Sequence, residues 1–305
     1  MIDKHDTSDV WSRWLLQRWH GGNAAYKEIL HAKLVRFRDR VLDGAQLASG
    51  MTLVDVGAGD GLVGFGAIDR LGSALRVIFT DVSEPLLRHT EGLAEERGVR
   101  PQCAFVLGSA ERLAGIADGS VDVVATRASL AYMSDKGSAL KEFHRVLKPG
   151  GRISIAEPIL QDDAFAVRAI AKLLETQPKH PQARFLCLLH RYRSAQYPAT
   201  DQEIWSNPLT NFSERDLVHL ACAAGFDNVH MELHLDYKRP VRLSWETQLD
   251  IAPHPWAPTL REILASFSVE ERMLFERGFR PMIESGQSLV HDAMAYLTAE
   301  KPTVA

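Results

Sequence analysis

The sequence predicts an α/β chain: a doubly wound, mostly parallel seven-stranded sheet, with helices before it and a helical cap attached to it. Three observations carry that expectation. Between residues 52 and 156, short β-branched apolar runs alternate with segments of helical periodicity, the pattern of a parallel sheet covered on both faces. The first run, Thr52-Leu53-Val54-Asp55-Val56, is followed at once by Gly57, Gly59 and Gly61, so a strand leads through a tight loop into a helix. After Pro158 the rhythm changes to helical segments, and two further strand-like runs, 228–237 and 288–298, complete the seven.

In chain order, residues 8–43 read as helical. Ser8 or Asp9 caps a helix carrying Trp11, Trp14, Leu15 and Trp19 at three- and four-residue spacing. Gly21-Gly22-Asn23 interrupts it, and a second helix, 24–42, aligns Tyr26, Ile29, Leu30, Leu34, Phe37 and Val41. Strand 52–56 then leads into helix 61–71. Strand 75–80 ends at Asp81, and Ser83 with Pro85 starts helix 84–97. Strands 102–107 and 121–126 follow. Helix 134–147 stops at Lys148-Pro149-Gly150-Gly151, and strand 151–156 ends at Glu157-Pro158. Right-handed crossovers between these strands make the sheet doubly wound. Residues 159–210 hold two helices, 162–176 and 181–194, in a connection too long for a plain loop. Ser213 caps a helix to Ala224, strand 228–237 follows, and 244–285 is helical around a break at Pro253, Pro255 and Pro258. The expected organisation is a single domain over 1–305. A helical lid spans 1–45, a ligand-binding core 46–158, and cap segments 159–212 and 240–287.

Composition narrows the function. The chain has 305 residues, 46% hydrophobic and 24% charged, with a net charge of −4. That is an ordinary globular composition, and it lacks the basic surface that nucleic acid or an anionic membrane requires. Only Cys103, Cys187 and Cys222 are present, in no disulfide or metal-ligand spacing, which suits a reducing cytoplasm. The amino-terminal stretch has no signal-peptide core, and no apolar run reaches the roughly 18 residues of a membrane span. No metal site is expected. Asp162-Asp163 reads as the acidic first turn of a helix.

The glycine spacing selects the ligand. A dinucleotide fingerprint is GxGxxG, but Leu62 occupies its third glycine position, and the observed run is Asp55-x-Gly57-x-Gly59-x-Gly61. Asp81 lies 22 residues past Gly59, followed by Val82. Gly108-Ser109-Ala110-Glu111-Arg112-Leu113 follows the third strand, and Asp118-Gly119-Ser120-Val121-Asp122-Val123-Val124 leads into the fourth. Glu142-x-x-Arg145-Val146-Leu147-Lys148-Pro149-Gly150-Gly151 precedes the fifth. In these blocks and their order the sequence resembles the class I S-adenosylmethionine-dependent methyltransferases, well over 50–160 and more weakly over 213–300.

The resemblance implies a Rossmann-like methyltransferase sheet and S-adenosyl-L-methionine as cofactor. It implies that Asp81 holds the ribose hydroxyls, a task a carboxylate suits because it accepts two hydrogen bonds from a vicinal diol. Val82 packs on the adenine; Ser109, where the family has Asp, lies with Ala110 and Glu111 in the adenine pocket. Arg127 falls in the region after strand four that contributes to the cofactor site. Asp55 either orients the loop or contacts the methionine amino group. Residues before strand one often close over the cofactor in this family, which nominates Trp14, Arg18, Trp19 and Tyr26, with packing anchors as the alternative.

Methyl transfer from a sulfonium needs positioning and water exclusion more than acid–base chemistry. The acceptor contacts are expected from Arg127, Tyr132, Met133 and Glu157, and from a cap helix carrying Arg184, His190, Arg191 and Arg193. His190 is the candidate general base, with Tyr132 and Glu157 as further catalytic candidates. Trp245, Trp256 and Phe267 line the acceptor pocket or fill the core. The expected activity is methylation of an O, N or C nucleophile on a small molecule, with a homodimer as the candidate assembly. The competing functions are an NAD(P)-dependent oxidoreductase, which Leu62 and the lack of a placed Tyr-x-x-x-Lys oppose, and an S-adenosylmethionine-binding protein without turnover. The paired cysteines of arsenic methylation are absent.

Overall fold

The computed structural model describes residues 9–286 and 290–303. Ser8 and Ser288, the expected cap and the expected start of the last strand, lie outside the described residues. The helices are α1 (Val10–Leu16), α2 (Ala24–Ala45), α3 (Leu62–Leu71), α4 (Glu84–Glu96), α5 (Lys136–Val146), α6 (Gln161–Thr176), α7 (Ala183–Ser194), α8 (Asp201–Ser206), α9 (Glu214–Ala223), α10 (Trp245–Leu249), α11 (Leu260–Leu264) and α12 (Val269–Ser285). The strands are β1 (Thr52–Val56), β2 (Arg76–Asp81), β3 (Cys103–Leu107), β4 (Val121–Arg127), β5 (Leu147–Pro158), β6 (Asp227–Lys238) and β7 (Val290–Glu300).

The strands form one sheet in the order β3-β2-β1-β4-β5-β7-β6. β1 to β5 pair in parallel, and β7 runs antiparallel to both β5 and β6. The expected seven-stranded, mostly parallel sheet is therefore present. Strand order reverses between β1 and β4, and in such sheets a crevice opens beyond the carboxyl ends of the strands at that point.

Two apolar cores sandwich the sheet. One joins α2, α3 and α4 to it through Leu34, Phe37, Val41, Phe65 and Phe79. The other joins α5 and α9 through Leu140, Phe143, Leu217 and Ala221. Phe79 is fully buried, 5.1 Å from Phe65 and 5.3 Å from Phe105 between ring centroids. Such a side chain contributes roughly 2–3 kcal/mol by burial. α2 lies against the sheet, where Ser154 Oγ donates to Val41 O at 2.6 Å. Of the two helices before β1, α1 alone lies over the glycine loop.

The cap has a separate core. Tyr192 from α7, Trp245 and Leu249 from α10, Leu260 and Leu264 from α11, and Phe275 from α12 cluster together. The expectation of two helices in 159–210 is corrected by α8, a third and short one. Thr200 and Glu203 form a reciprocal capping box at its start. The Thr-x-x-Glu signal was in the sequence, but six residues carry too little periodicity to be read as a helix. No described helix is long and apolar enough to cross a membrane.

Candidate active site

The carboxyl ends of β1, β2, β3 and β4, closed over by α1, enclose a cavity of about 300 Å³. That is the size class of small-molecule sites. Asp55 ends up buried near the end of β1, and its Oδ2 accepts the Gly64 N–H at 2.8 Å, tying the strand to the first turn of α3. Burial, more than the neighbouring charges of Asp60 and Asp81, pushes its carboxyl up to about 7. Of the two expected roles, loop orientation is thus visible in the hydrogen bond, while the side chain also lines the cavity.

The loop that follows tolerates only glycine at its tightest point. Gly57 has φ +64° and a Cβ there would overlap Ser129 Oγ; Gly59 has φ +57° and a Cβ would press Leu15 of α1 at 2.9 Å. Thr90 Oγ1 donates to Gly59 O at 2.7 Å and fixes the loop from α4. Gly61 caps α3 and does not line the cavity.

Asp81 closes β2. Its Oδ2 accepts the Gly59 N–H at 2.9 Å and its Oδ1 the Ser83 N–H at 2.8 Å. Each oxygen keeps a further lone pair. Burial raises this carboxyl as well. Val82 beside it is 52% exposed and forms part of the wall, an apolar surface free to receive a planar ring. Ser109, Ala110 and Glu111 line the opposite side, and Glu111 Oε1 accepts the Asp135 N–H at 3.0 Å.

α1 forms the roof. Asp9 and Ser12 make a reciprocal capping box, and Trp11, Trp14 and Leu15 face the cavity. Trp14 Nε1 donates to Ala252 O at 2.9 Å, and Arg18 pairs with Glu262 at 2.7 Å. The roof is thus fastened to the cap, 238 and 244 residues away in sequence. Trp11, Tyr132 and Trp256 meet edge to face at 5.1–5.8 Å.

A second cavity of about 340 Å³ adjoins the first. Trp14, Leu15, Arg127, Ala128 and Tyr132 line both. Ala128 holds φ +52° there, and its N–H donates to Ala156 O at 2.7 Å. Strain of this kind in a residue with a Cβ persists where surrounding structure enforces it. The outer wall comes from α2 (Lys33, Phe37), the start of α6 (Leu160, Asp163), Tyr197, and β7 (His291, Asp292, Met294).

The expected residues divide accordingly. Asp55, Gly57, Gly59, Asp81, Val82, Ser109, Ala110, Glu111, Arg127, Trp14 and Tyr132 come together, with Met133 beside them. Besides Gly61, three expected site residues stand elsewhere. Tyr26 lines neither cavity; it lies two turns before Lys33 on α2. Glu157 is fully buried, and its two oxygens accept the N–H groups of Ser129, Leu130 and Ala131 at 2.9–3.0 Å. It holds the shared wall in place and lines neither cavity, which corrects its assignment as a reacting group. His190 also lines neither cavity, because α7 packs on α6 and α12, and no base role follows from its position.

Other candidates are structural. Trp245 and Phe267 fill the cap core. Arg193 is paired with Asp163 at 2.8 Å, and Arg191 with Glu271 at 3.3 Å. Trp11, Leu15, Ser129, Lys33, Asp163, Tyr197 and Asp292 were not identified as site residues from the sequence. Only Trp11 and Leu15 had a usable signal, being on the same helical stripe as Trp14.

Comparison with known proteins bears on this geometry. A family model described as a methyltransferase domain matches residues 47–212. The chain is 36% identical over 126 residues to the nocamycin O-methyltransferase of Saccharothrix syringae, a match that covers 39% of this chain and 42% of that enzyme. The chain thus spans less than half the length of that relative. It is 26% identical over 196 residues to the ubiquinone/menaquinone biosynthesis C-methyltransferase of Serratia proteamaculans, covering 62% and 71% of the two chains. The crystal structure of a Bacillus halodurans protein described as a methyltransferase superposes with a TM-score of 0.54 at 20% identity, over 87% of this chain and 99% of that one. At that identity the likeness speaks to the fold.

Proposed function

The chain belongs to the class I S-adenosylmethionine-dependent methyltransferases, and from that premise we propose that it transfers a methyl group to an oxygen, nitrogen or carbon of a small-molecule acceptor. S-adenosylmethionine occupies the first cavity and the acceptor the second. The observation that carries this reading is Asp81. It is a buried carboxylate at a strand end, hydrogen-bonded to the amide of a glycine whose Cβ would collide with the roof. That arrangement leaves backbone room for a nucleoside and acceptor lone pairs for its ribose diol.

Asp81 holds the ribose, Val82 packs on the base, and Ser109, Ala110 and Glu111 close the base pocket. Gly57 and Gly59 admit the amino-acid end beside Asp55. The cofactor supplies an activated methyl group bound to a sulfonium. The chain supplies geometry: Trp11, Trp14 and Leu15 cover the site from water, and Tyr132 and Arg127 form the passage to the acceptor. Burial pushes the Tyr132 phenol above its ordinary range, so it serves as a hydrogen-bond donor.

The division into lid, core and cap, the cytoplasmic location and a homodimeric assembly belong to the same reading. The relatives' oxygen and carbon acceptors support a small-molecule substrate over nucleic acid or membrane.

Calorimetry with S-adenosylmethionine, S-adenosylhomocysteine and NAD(P)H tests the reading. Binding of the first two with no response to the nicotinamides is expected. Tight nicotinamide binding with no response to the sulfur nucleosides overturns it.

A further inference from the structure

Resting on that reading, the passage between the two cavities carries a statement about the acceptor. Five residues line both cavities, and two of them, Arg127 and Tyr132, carry polar side-chain groups that could meet a ligand. Neither is a base. A guanidinium stays protonated, and the buried phenol is raised above its ordinary value.

The carboxylates nearby are engaged elsewhere. Asp55 accepts from Gly64 and Glu157 from three amides. Asp163 is paired with Arg193 at 2.8 Å, and Asp292 with Lys33 and Lys238, each at 2.5 Å. His291 lines the second cavity at its outer wall, away from the passage. Arg127 pairs through Ala156 with Tyr296, and His291 is five residues beyond, about 16 Å of strand.

Among the described residues, the Arg127 guanidinium makes no hydrogen bond and no ion pair, although its charge is felt by Asp55, Tyr132 and Glu157. A half-buried fork of five donors facing two cavities is a site for an anion. In the second cavity both lining anions are already paired, Asp163 with Arg193 and Asp292 with Lys33 and Lys238, so among the described residues Arg127 is the lining cation left without a counter-ion.

We propose that the acceptor is methylated on an oxygen that is already anionic, such as a carboxylate, held by Arg127 in the passage without a protein base. The acceptor oxygen's lone pair forms the new O–C bond. The methyl C–S bond breaks, and its electron pair goes to sulfur, which becomes a neutral thioether. The product is an ester or ether, and no proton leaves the acceptor.

The test uses the whole chain saturated with S-adenosylhomocysteine. Melting temperature is read against a panel of aromatic and aliphatic carboxylic acids, each matched with its primary amide. Acids are expected to raise the melting temperature and their amides not. Arg127→Gln is expected to abolish the acid response, Arg127→Lys to keep part of it, and both to bind S-adenosylhomocysteine within threefold of the unaltered protein. The proposal is overturned by equal responses to acids and amides, by no response to any acid, or by an acid response that survives Arg127→Gln. A tenfold weaker S-adenosylhomocysteine affinity in Arg127→Gln with the acid response intact overturns it too, since Arg127 would then serve the cofactor. If the unaltered protein binds no sulfur nucleoside at all, the transferase reading fails and this one with it.

Discussion

The two adjoining cavities are built in opposite ways. The first is lined by short contiguous pieces of chain: 55–63, 81–86, 108–111 and 127–134, plus α1. Parallel strands bring their carboxyl ends to one edge of the sheet, so each loop delivers its residues to the same place. Its recognition groups are backbone amides, glycine gaps and the carboxyl groups of Asp55, Asp81 and Glu111. The second cavity draws Lys33, Arg127, Asp163, Tyr197 and Asp292 from five distant parts of the chain. Its polar groups are side chains from separate elements, of which Lys33, Asp163 and Asp292 are held by ion pairs. A backbone-built pocket is specific to its ligand by shape and breaks through steric change. A side-chain-built pocket is retuned by single substitutions, which suits a fold that keeps one cofactor and varies the acceptor.

That contrast can be attacked at four points, taken from the largest expected effect down. Asp55 titrates near 7 in the folded chain against 3.8 for an ordinary aspartate. Between those values the unfolded chain has released this proton and the native chain has kept it. The stabilisation is therefore full below about pH 4 and lost as pH rises through about 7, a change on the order of 4 kcal/mol. Urea denaturation of the protein without cofactor should show stability falling over that interval. Asp55→Asn, which keeps an acceptor for Gly64, should flatten much of the slope. Asp81 and Glu157 are shifted in the same direction, so a residual slope remains. A slope that Asp55→Asn leaves untouched removes Asp55 as its source.

Next comes Gly57→Val. A β-branched residue at φ +64° against Ser129 is expected to cost about 2–3 kcal/mol of cofactor binding, ~30- to 150-fold in Kd. Calorimetry reads it; unchanged affinity would mean that the loop does not touch the ligand. Asp81→Ala should weaken S-adenosylmethionine binding about tenfold or more, at least ~1.4 kcal/mol, without altering the response of the second cavity to acids. Equal losses in both cavities would show that the two cavities do not bind independently. The smallest effect is expected from Trp14→Phe, which removes the hydrogen bond to Ala252 and loosens the roof. About 1 kcal/mol corresponds to roughly fivefold faster release of S-adenosylhomocysteine, measured by stopped-flow fluorescence. A release rate identical to that of the unaltered protein would show that the roof does not gate the site.

Legibility in the sequence followed the same division. Strand ends, glycine spacing and Asp81 were readable because each depends on neighbours within a few residues. For Glu157, position at a strand end says nothing about which amides a carboxylate meets; three amides 26 to 28 residues upstream occupy it. His190 sits in a helix whose basic and apolar residues alternate, and the sequence does not say which face meets a cavity. Tyr26 shares α2 with Lys33, yet Lys33 alone lines a cavity.

The amino-acid sequence by itself determined the alternation of strands and helices, the glycine loop, the acidic end of β2 and hence the cofactor class, because these are fixed by local backbone conformation and hydrophobic period. The tertiary structure alone decided that α1 is fastened to the cap, that Glu157 accepts three backbone amides, and that among the described residues Arg127 lines two cavities without a hydrogen bond or ion pair. Those facts depend on which side chains meet across more than a hundred residues of chain, or on which partners a buried charge finds after packing, and no local pattern encodes either.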